Sequence, residues 1–176
     1  MSEGPRHRVP FRRRREGVTD YRSRLALLKS GLPRAVVRFS RGRVIVSITA
    51  YDPVGDRVLA VAESRELGQV GFPKLNSVST PAAYLTGYLA GLRAKAGGHT
   101  TAVLDVGLRR PAAGGRLLGA LKGLLDAGIE IPHGTTAFPK PDRLNGTHLK
   151  PALAKPIETF KLELPKVVDR AAGGTA

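Results

Sequence analysis

Four consecutive arginines, Arg12 to Arg15, sit in a segment that no packed core can absorb. Residues 1–43 carry 13 Lys/Arg, 12 of them Arg, against only Glu3, Glu16 and Asp20; they hold ten of the chain's fifteen net positive charges. Unpaired cations cannot be desolvated cheaply, so most of this segment must remain at the surface or outside the folded body. Charge concentrated at one end is a docking device for a polyanion, of which nucleic acid is the commonest. Pro5 and Pro10 oppose a helix, and the arginine run repels itself. Residues 1–17 therefore read as an extended basic arm with no fold of its own.

The 176 residues suit one domain with tails. The hydrophobic fraction is 41%, but aromatics are only 5% and Trp is absent, so the core must be built from Val, Leu, Ile and Ala. There is no Cys, which excludes disulfides, Cys-ligated zinc and thiol catalysis. His7, His99, His133 and His148 are scattered without metal-ligand spacing. No apolar run approaches the ~18 residues of a membrane span, and no apolar region follows the N-terminal charges, so a secretory signal is not expected. The expected location is the cytoplasm.

Behind the arm, residues 18–131 read as an α/β body. Thr19-Asp20 offers an N-cap to a short helix over 20–30, stopped by Gly31 and Pro33. Residues 35–39, 44–49 and 57–62 read as three strands joined by short turns, an antiparallel meander. An irregular connection over 64–79 leads to a long helix. Thr80 is its expected N-cap and Pro81 its first position, and Gly97-Gly98 its end. Gly87 and Gly91, four apart in that helix, predict a close approach by another element. Residues 101–106 read as a central strand and 116–127 as an amphipathic helix capped by Gly128, with a short edge strand at 129–131. The expected layout is a mixed sheet covered by helices. Six prolines from Pro132 to Pro165 break every candidate element, so 132–176 reads as a Pro-rich extended segment with one short helix near 157–163.

Enzyme signals are weak. A nuclease needs several carboxylates converging on divalent metal. Only Asp105, in the central strand, is attractive, and its plainer role is a buried carboxylate accepting hydrogen bonds from backbone or arginine. The glycines of 114–119 lack the Gly-Lys-Ser/Thr ending of a phosphate loop, and Gly119 reads as a packing residue in a helix. Arginine makes forked contacts to phosphate and stacks on bases, so the basic residues carry the expectation. Tyr21 has two readings, a ring for RNA or a packing group for the short helix. Arg34 and Arg38 should share a strand face, a second RNA surface if no helix covers it.

Several blocks, in order, resemble one family. VPFRRRREGVTDYRSRLALLKSGLPRAVVRFS at 9–40, PAAYLTG at 81–87, LDVGL at 104–108 and LKGLLDAGIEIPHG at 121–134 are similar to the large-subunit ribosomal protein L-eighteen family in its archaeal form, whose eukaryotic counterpart is L-five. The resemblance covers roughly residues 4–150. It implies a ribonuclease-H-like mixed sheet without nuclease carboxylates, and a non-enzymatic constituent of the large ribosomal subunit with no cofactor or small-molecule substrate. It further implies binding to 5S ribosomal RNA in the central protuberance, contact with the large (23S-type) ribosomal RNA and with a neighbouring 5S-binding ribosomal protein, and no membrane partner. The RNA contacts implied are Arg6, Arg8, Arg12, Arg13, Arg14, Arg15, Thr19, Tyr21, Arg22, Arg24, Arg34 and Arg38, with Lys74 and Asn76 in a loop ahead of the long helix. Two rival readings are a nonspecific nucleic-acid-binding protein, which would hold duplex DNA as well as 5S RNA, and a metal-dependent RNA-processing nuclease acting through Asp105.

Overall fold

A computed structural model describes residues 4, 7–134, 138–149, 153 and 156–172. Its centre is a four-stranded sheet in the order β3-β2-β1-β4, built from β1 (Arg34–Phe39), β2 (Val44–Ala50), β3 (Arg57–Glu63) and β4 (Val103–Asp105). The first three strands are antiparallel neighbours, and β4 runs parallel to β1. Residues 129–131 flank the start of β4 through a parallel Thr101–Glu130 bridge, with Ala102 N–H donating to Glu130 O at 3.0 Å. This is the ribonuclease-H-like mixed arrangement expected from the sequence. The predicted strand at 101–106 is shorter than expected, because Thr101 pairs outward with Glu130 and Gly107 (φ 64°) turns the chain away.

Alternation along the strands sorts the sheet into two faces. Ala35, Val37, Val44, Val46, Ile48, Ala60 and Ala62 are buried on the helical side. There α3 (Thr80–Ala96) packs on β2 and β3, and α4 (Arg116–Asp126) packs alongside α3. The two helices meet through glycines: a Cβ at Gly87 would strike the Ala120 carbonyl, and one at Gly123 the Tyr84 carbonyl. Gly119 lies against Thr80 Cγ2, where a Cβ would stand 3.2 Å away. Both helices end in left-handed glycines that close the last turn. Gly98 N–H reaches Lys95 O and His99 N–H reaches Ala94 O, while Gly128 and Ile129 bond Leu125 O and Leu124 O. Tyr84 donates its hydroxyl to Asp126 at 2.7 Å; burial and that carboxylate push the phenol well above its ordinary range.

Several expectations are corrected. Ser79, not Thr80, caps α3: its Oγ accepts from Ala82 N–H, which makes Thr80 the first helical residue and Pro81 the second. The connection over 64–79 contains two 3-10 turns, Glu66–Val70 and Lys74–Asn76, that bury Leu67 and Val70. The arginine run is not extended but forms a single helical turn, α1 (Arg12–Arg15), closed by Gly17 (φ 65°), with Gly17 N–H and Val18 N–H bonding Arg14 O and Arg13 O. The helix expected near 157–163 runs further. After the short α5 (Pro141–Asn145), α6 spans Ile157–Ala172 with Pro165 inside it. Proline there loses a hydrogen bond and crowds the preceding turn, at a cost of about 3 kcal/mol. Ile157, Phe160, Leu164 and Val167 are all buried, and each is worth roughly 1.5–3 kcal/mol, which outweighs the proline. Phe160 meets Phe72 edge-on at 5.5 Å between ring centres, so α6 joins the core against α3. No helix of the described residues is long and apolar enough to cross a membrane.

The glycine contact generates a test. Alanine is the better helix former by about 1 kcal/mol, yet Gly123→Ala forces α4 away from α3, and overpacking of this kind costs about 1–3 kcal/mol. Thermal unfolding of Gly123→Ala should show a midpoint several degrees lower; an equal or higher midpoint would mean that the helices do not need this approach.

Candidate nucleic-acid interface

On the other sheet face, α2 (Tyr21–Leu28) lies over β1 and β4. Asp20 caps it, accepting from Arg22 N–H at 2.9 Å, Ser23 N–H at 3.2 Å and Ser23 Oγ at 2.7 Å. The Ser23 hydroxyl, then the backbone N–H groups of Ser23 and Arg22, hold the Asp20 carboxyl below the ordinary aspartate range. The helix buries no residue of its own, so packing alone does not hold it. Its tether is Arg24, whose Nη2 lies 2.9 Å from both carboxylate oxygens of Asp56 in the β2–β3 turn.

Beneath α2 runs a charge network. Arg34, 4% exposed, gives Nη1 to Asp105 Oδ2 at 2.7 Å and Nη2 to Asp56. Arg38 gives Nη2 to Asp105 Oδ1 and Nη1 to the Asp105 carbonyl, both at 2.9 Å, and Gly107 N–H adds a second bond to Oδ1, the third to the carboxylate. Burial raises the cost of ionising Asp105, but Arg38, Gly107 and Arg34 together outweigh it and hold the carboxyl below the ordinary aspartate range. Arg34 Nε is buried without a hydrogen-bond partner among the described residues.

Between α2, the end of β1 and the loop after β4 opens a cleft of about 700 Å³. Leu27, Phe39, Leu104 and Leu108 supply apolar walls, and Arg13, Arg24, Arg38 and Arg109 line it with cations. Arg13 Nε donates to Thr19 Oγ1 at 3.0 Å, fixing α1 at this cleft. Arg8, Arg12, Arg13, Arg14, Arg15 and Arg22 are exposed. Arg12 has only a loose contact to Glu16 at 3.9 Å, and no carboxylate among the described residues pairs with Arg8, Arg14, Arg15 or Arg22. Tyr21 is 39% exposed at the start of α2. Arg6 lies outside the described residues.

Three expected contacts are thus engaged inside the protein. Arg24, Arg34 and Arg38 are held by Asp56 and Asp105; Arg34 is out of solvent, while Arg38 keeps a side chain 45% exposed. Lys74 and Asn76 do not line the cleft. They belong to the turn before α3, which Arg116 Nη1 grips at Val78 O, and Asn76 is buried while Lys74 is exposed. Arg109, absent from the sequence-based set, does line the cleft. Its signal was available: residues 106–125 contain Arg109, Arg110, Arg116 and Lys122 and no acid. Among the described residues no group of three or more His, Asp or Glu is placed to hold a metal ion, and both oxygens of Asp105 are occupied by arginine.

The family described as "Ribosomal large subunit proteins 60S L5, and 50S L18" matches residues 5–98 and 93–134. The chain belongs to this family. A relative named "Large ribosomal subunit protein uL18", from Korarchaeum cryptofilum (strain OPF8), is 48% identical over 163 residues, which cover 93% of this chain and 83% of the relative. Membership makes the chain a structural constituent of the large ribosomal subunit, not an enzyme. In this L18-type fold the strand aspartate is a clasp for arginine.

Replacing that aspartate tests the clasp. Asp105→Asn leaves Arg34 buried beside a neutral amide, and breaking a buried pair from one side costs about 3–5 kcal/mol. Because the folded-state pKa of Asp105 is lowered, its stabilising contribution is complete above the ordinary value of about 4 and is lost as pH falls through the lower folded value. Urea unfolding should therefore show a less stable variant at pH 7 and a smaller loss of stability on acidification than in the parent. Equal stability at pH 7 would refute the clasp.

Proposed function

We propose that this protein binds 5S ribosomal RNA and anchors it to the large ribosomal RNA in the central protuberance of the cytoplasmic ribosome, beside a neighbouring 5S-binding ribosomal protein. The observation that carries the reading is the division of the arginines. Arg24, Arg34 and Arg38 are taken by carboxylates, whereas Arg8, Arg14, Arg15 and Arg22 are exposed and form no ion pair among the described residues. Arg14, Arg15 and Arg22 of this set are gathered in α1 and the start of α2 at the mouth of an arginine-lined cleft, and Arg8 precedes them. Guanidinium groups so displayed suit phosphate oxygens and the faces of unstacked bases, and the cleft gives an RNA loop a shape to fit.

In this reading the arm supplies phosphate neutralisation and the cleft supplies selectivity. Arg34 acts from within, by holding β1, β4 and the β2–β3 turn in the geometry against which α2 rests. Thr19 fixes Arg13 in register, and Tyr21 offers a ring for stacking. Arg6 extends the same basic segment, and Lys74 stands apart as a lesser contact.

A competition at near-physiological salt tests the reading. Labelled 5S ribosomal RNA should stay bound against a large excess of transfer RNA and duplex DNA; equal competition would reduce the protein to a nonspecific polycation. Replacing Arg12 to Arg15 by alanine should leave the circular dichroism unchanged and flatten the salt dependence. Each phosphate contact contributes ~0.7–0.9 to the logarithmic slope, so the loss of four should lower it by roughly three.

A further inference from the structure

A second basic surface lies past the cleft, where the carboxyl ends of the parallel strands β1 and β4 meet the start of α4. It begins at Phe39, whose ring is flanked by the Arg109 guanidinium at 5.6 Å and the Arg116 guanidinium at 5.3 Å. It continues over the loop Ala112-Ala113-Gly114-Gly115 into a separate concavity of about 740 Å³, walled by that loop, Lys140, Arg143 and His148. Gly114 takes φ 66° and Gly115 carries no side chain, so the loop presents bare backbone. The amino end of α4 has no side-chain cap. The amino end of α3 is adjacent, since Arg116 bonds Val78 O just before Ser79.

The charge here is not internally balanced. Lys140 and Arg143 line the concavity, and Arg110 stands two residues before its glycine loop; all three are exposed and no carboxylate among the described residues pairs with them, while Asp142 is the one acid in the lining. Elsewhere in the body Arg24, Arg34, Arg38, Arg43, Arg93 and Lys122 have acid partners, whereas exposed cations such as Arg57 and Arg65 stand outside any concavity of this kind. Bare glycine backbone lets a strand approach closely, and the cations around it stand where phosphates would follow. The carboxyl ends of parallel strands are also where open α/β sheets receive ligands.

We propose that this concavity is a second RNA-docking surface that grips the sugar–phosphate backbone of the large ribosomal RNA while the arm and cleft hold 5S RNA. The proposal rests on the ribosomal reading above for its choice of RNA. It assigns the anchoring contact to Arg110, Lys140 and Arg143, none of which belongs to the arm, and leaves Arg109 and Arg116 as the ledge that joins the two surfaces.

The test uses the full chain and two probes, 5S RNA and an in-vitro transcript of the large-subunit ribosomal RNA, each titrated separately. The variant R110Q/K140Q/R143Q removes three exposed charges that pair with no carboxylate among the described residues. Its expected behaviour is unchanged 5S affinity within twofold, at least tenfold weaker binding to the large transcript, and a salt slope lower by ~2–3 on that transcript. A control, R57Q/R65Q/K166Q, removes the same charge from exposed positions elsewhere and should leave the large transcript bound as tightly as by the parent. Equal losses in the two triple variants would show that only net charge matters and would overturn the proposal. So would a loss confined to 5S RNA, or no loss on the large transcript. Failure of the parent to bind 5S RNA would refute the 5S assignment alone, because the large-transcript titration does not depend on it.

Discussion

The carboxylate of Asp105 is the point from which the outer face of the sheet is organised. One buried acid receives Arg34, Arg38 and the Gly107 N–H, so a single group joins β1 to β4 and turns the chain after β4. Arg34 carries the connection onward to Asp56, and Asp56 passes it to Arg24 on α2. Isolated buried charges are costly to desolvate, and a pair repays that cost only when its hydrogen bonds are nearly complete. Asp105 meets this condition; Arg34 meets it except at Nε. The chain of alternating charges therefore orients α2 without burying any of its side chains, and the network beneath the cleft is complete but for Arg34 Nε.

The opposite face is organised by contact rather than by charge. Gly87 and Gly123 bring the backbones of α3 and α4 together, which leaves little freedom in where α4 begins. That fixed starting point puts Arg116 against Phe39 and Val78, and sets the glycine loop beside Lys140 and Arg143. The position of cations at one end of the sheet is thus a consequence of two glycines buried more than a helical turn away.

Much of the fold was legible because its signals are local. The Asp20 cap, the glycine ends of α3 and α4, the three-strand meander and the close approach at Gly87 each follow from residues within a turn of one another. The candidate site was legible as a region but not residue by residue. Arg34 and Arg14 are the same residue type in the same basic stretch, and what separates them is Asp56 and Asp105, which lie 22 and 71 positions from Arg34 and meet it only in the folded sheet. Asp56 lies in the turn between β2 and β3, and nothing near it in sequence points to Arg24 or Arg34. Ser79 and Thr80 are adjacent hydroxyls, and the sequence does not decide which one faces the free N–H groups. Pro165 argued against a long helix; the stripe Ile157, Phe160, Leu164, Val167 overrode it, because a buried apolar face is worth more than one missing hydrogen bond.

The absence of any buried residue in α2 has a kinetic meaning. Cooperative opening units are defined by shared buried contacts, and α1 and α2 share almost none with the body. They are joined to it by Arg24–Asp56, by a few turn hydrogen bonds and by the chain itself. The amino-terminal unit therefore forms a separate, shallow free-energy well, able to lift and reseat while the glycine-packed helices and the sheet stay closed. A partner that must be wrapped or threaded can enter under α2 by this local opening, at a cost far below that of global unfolding.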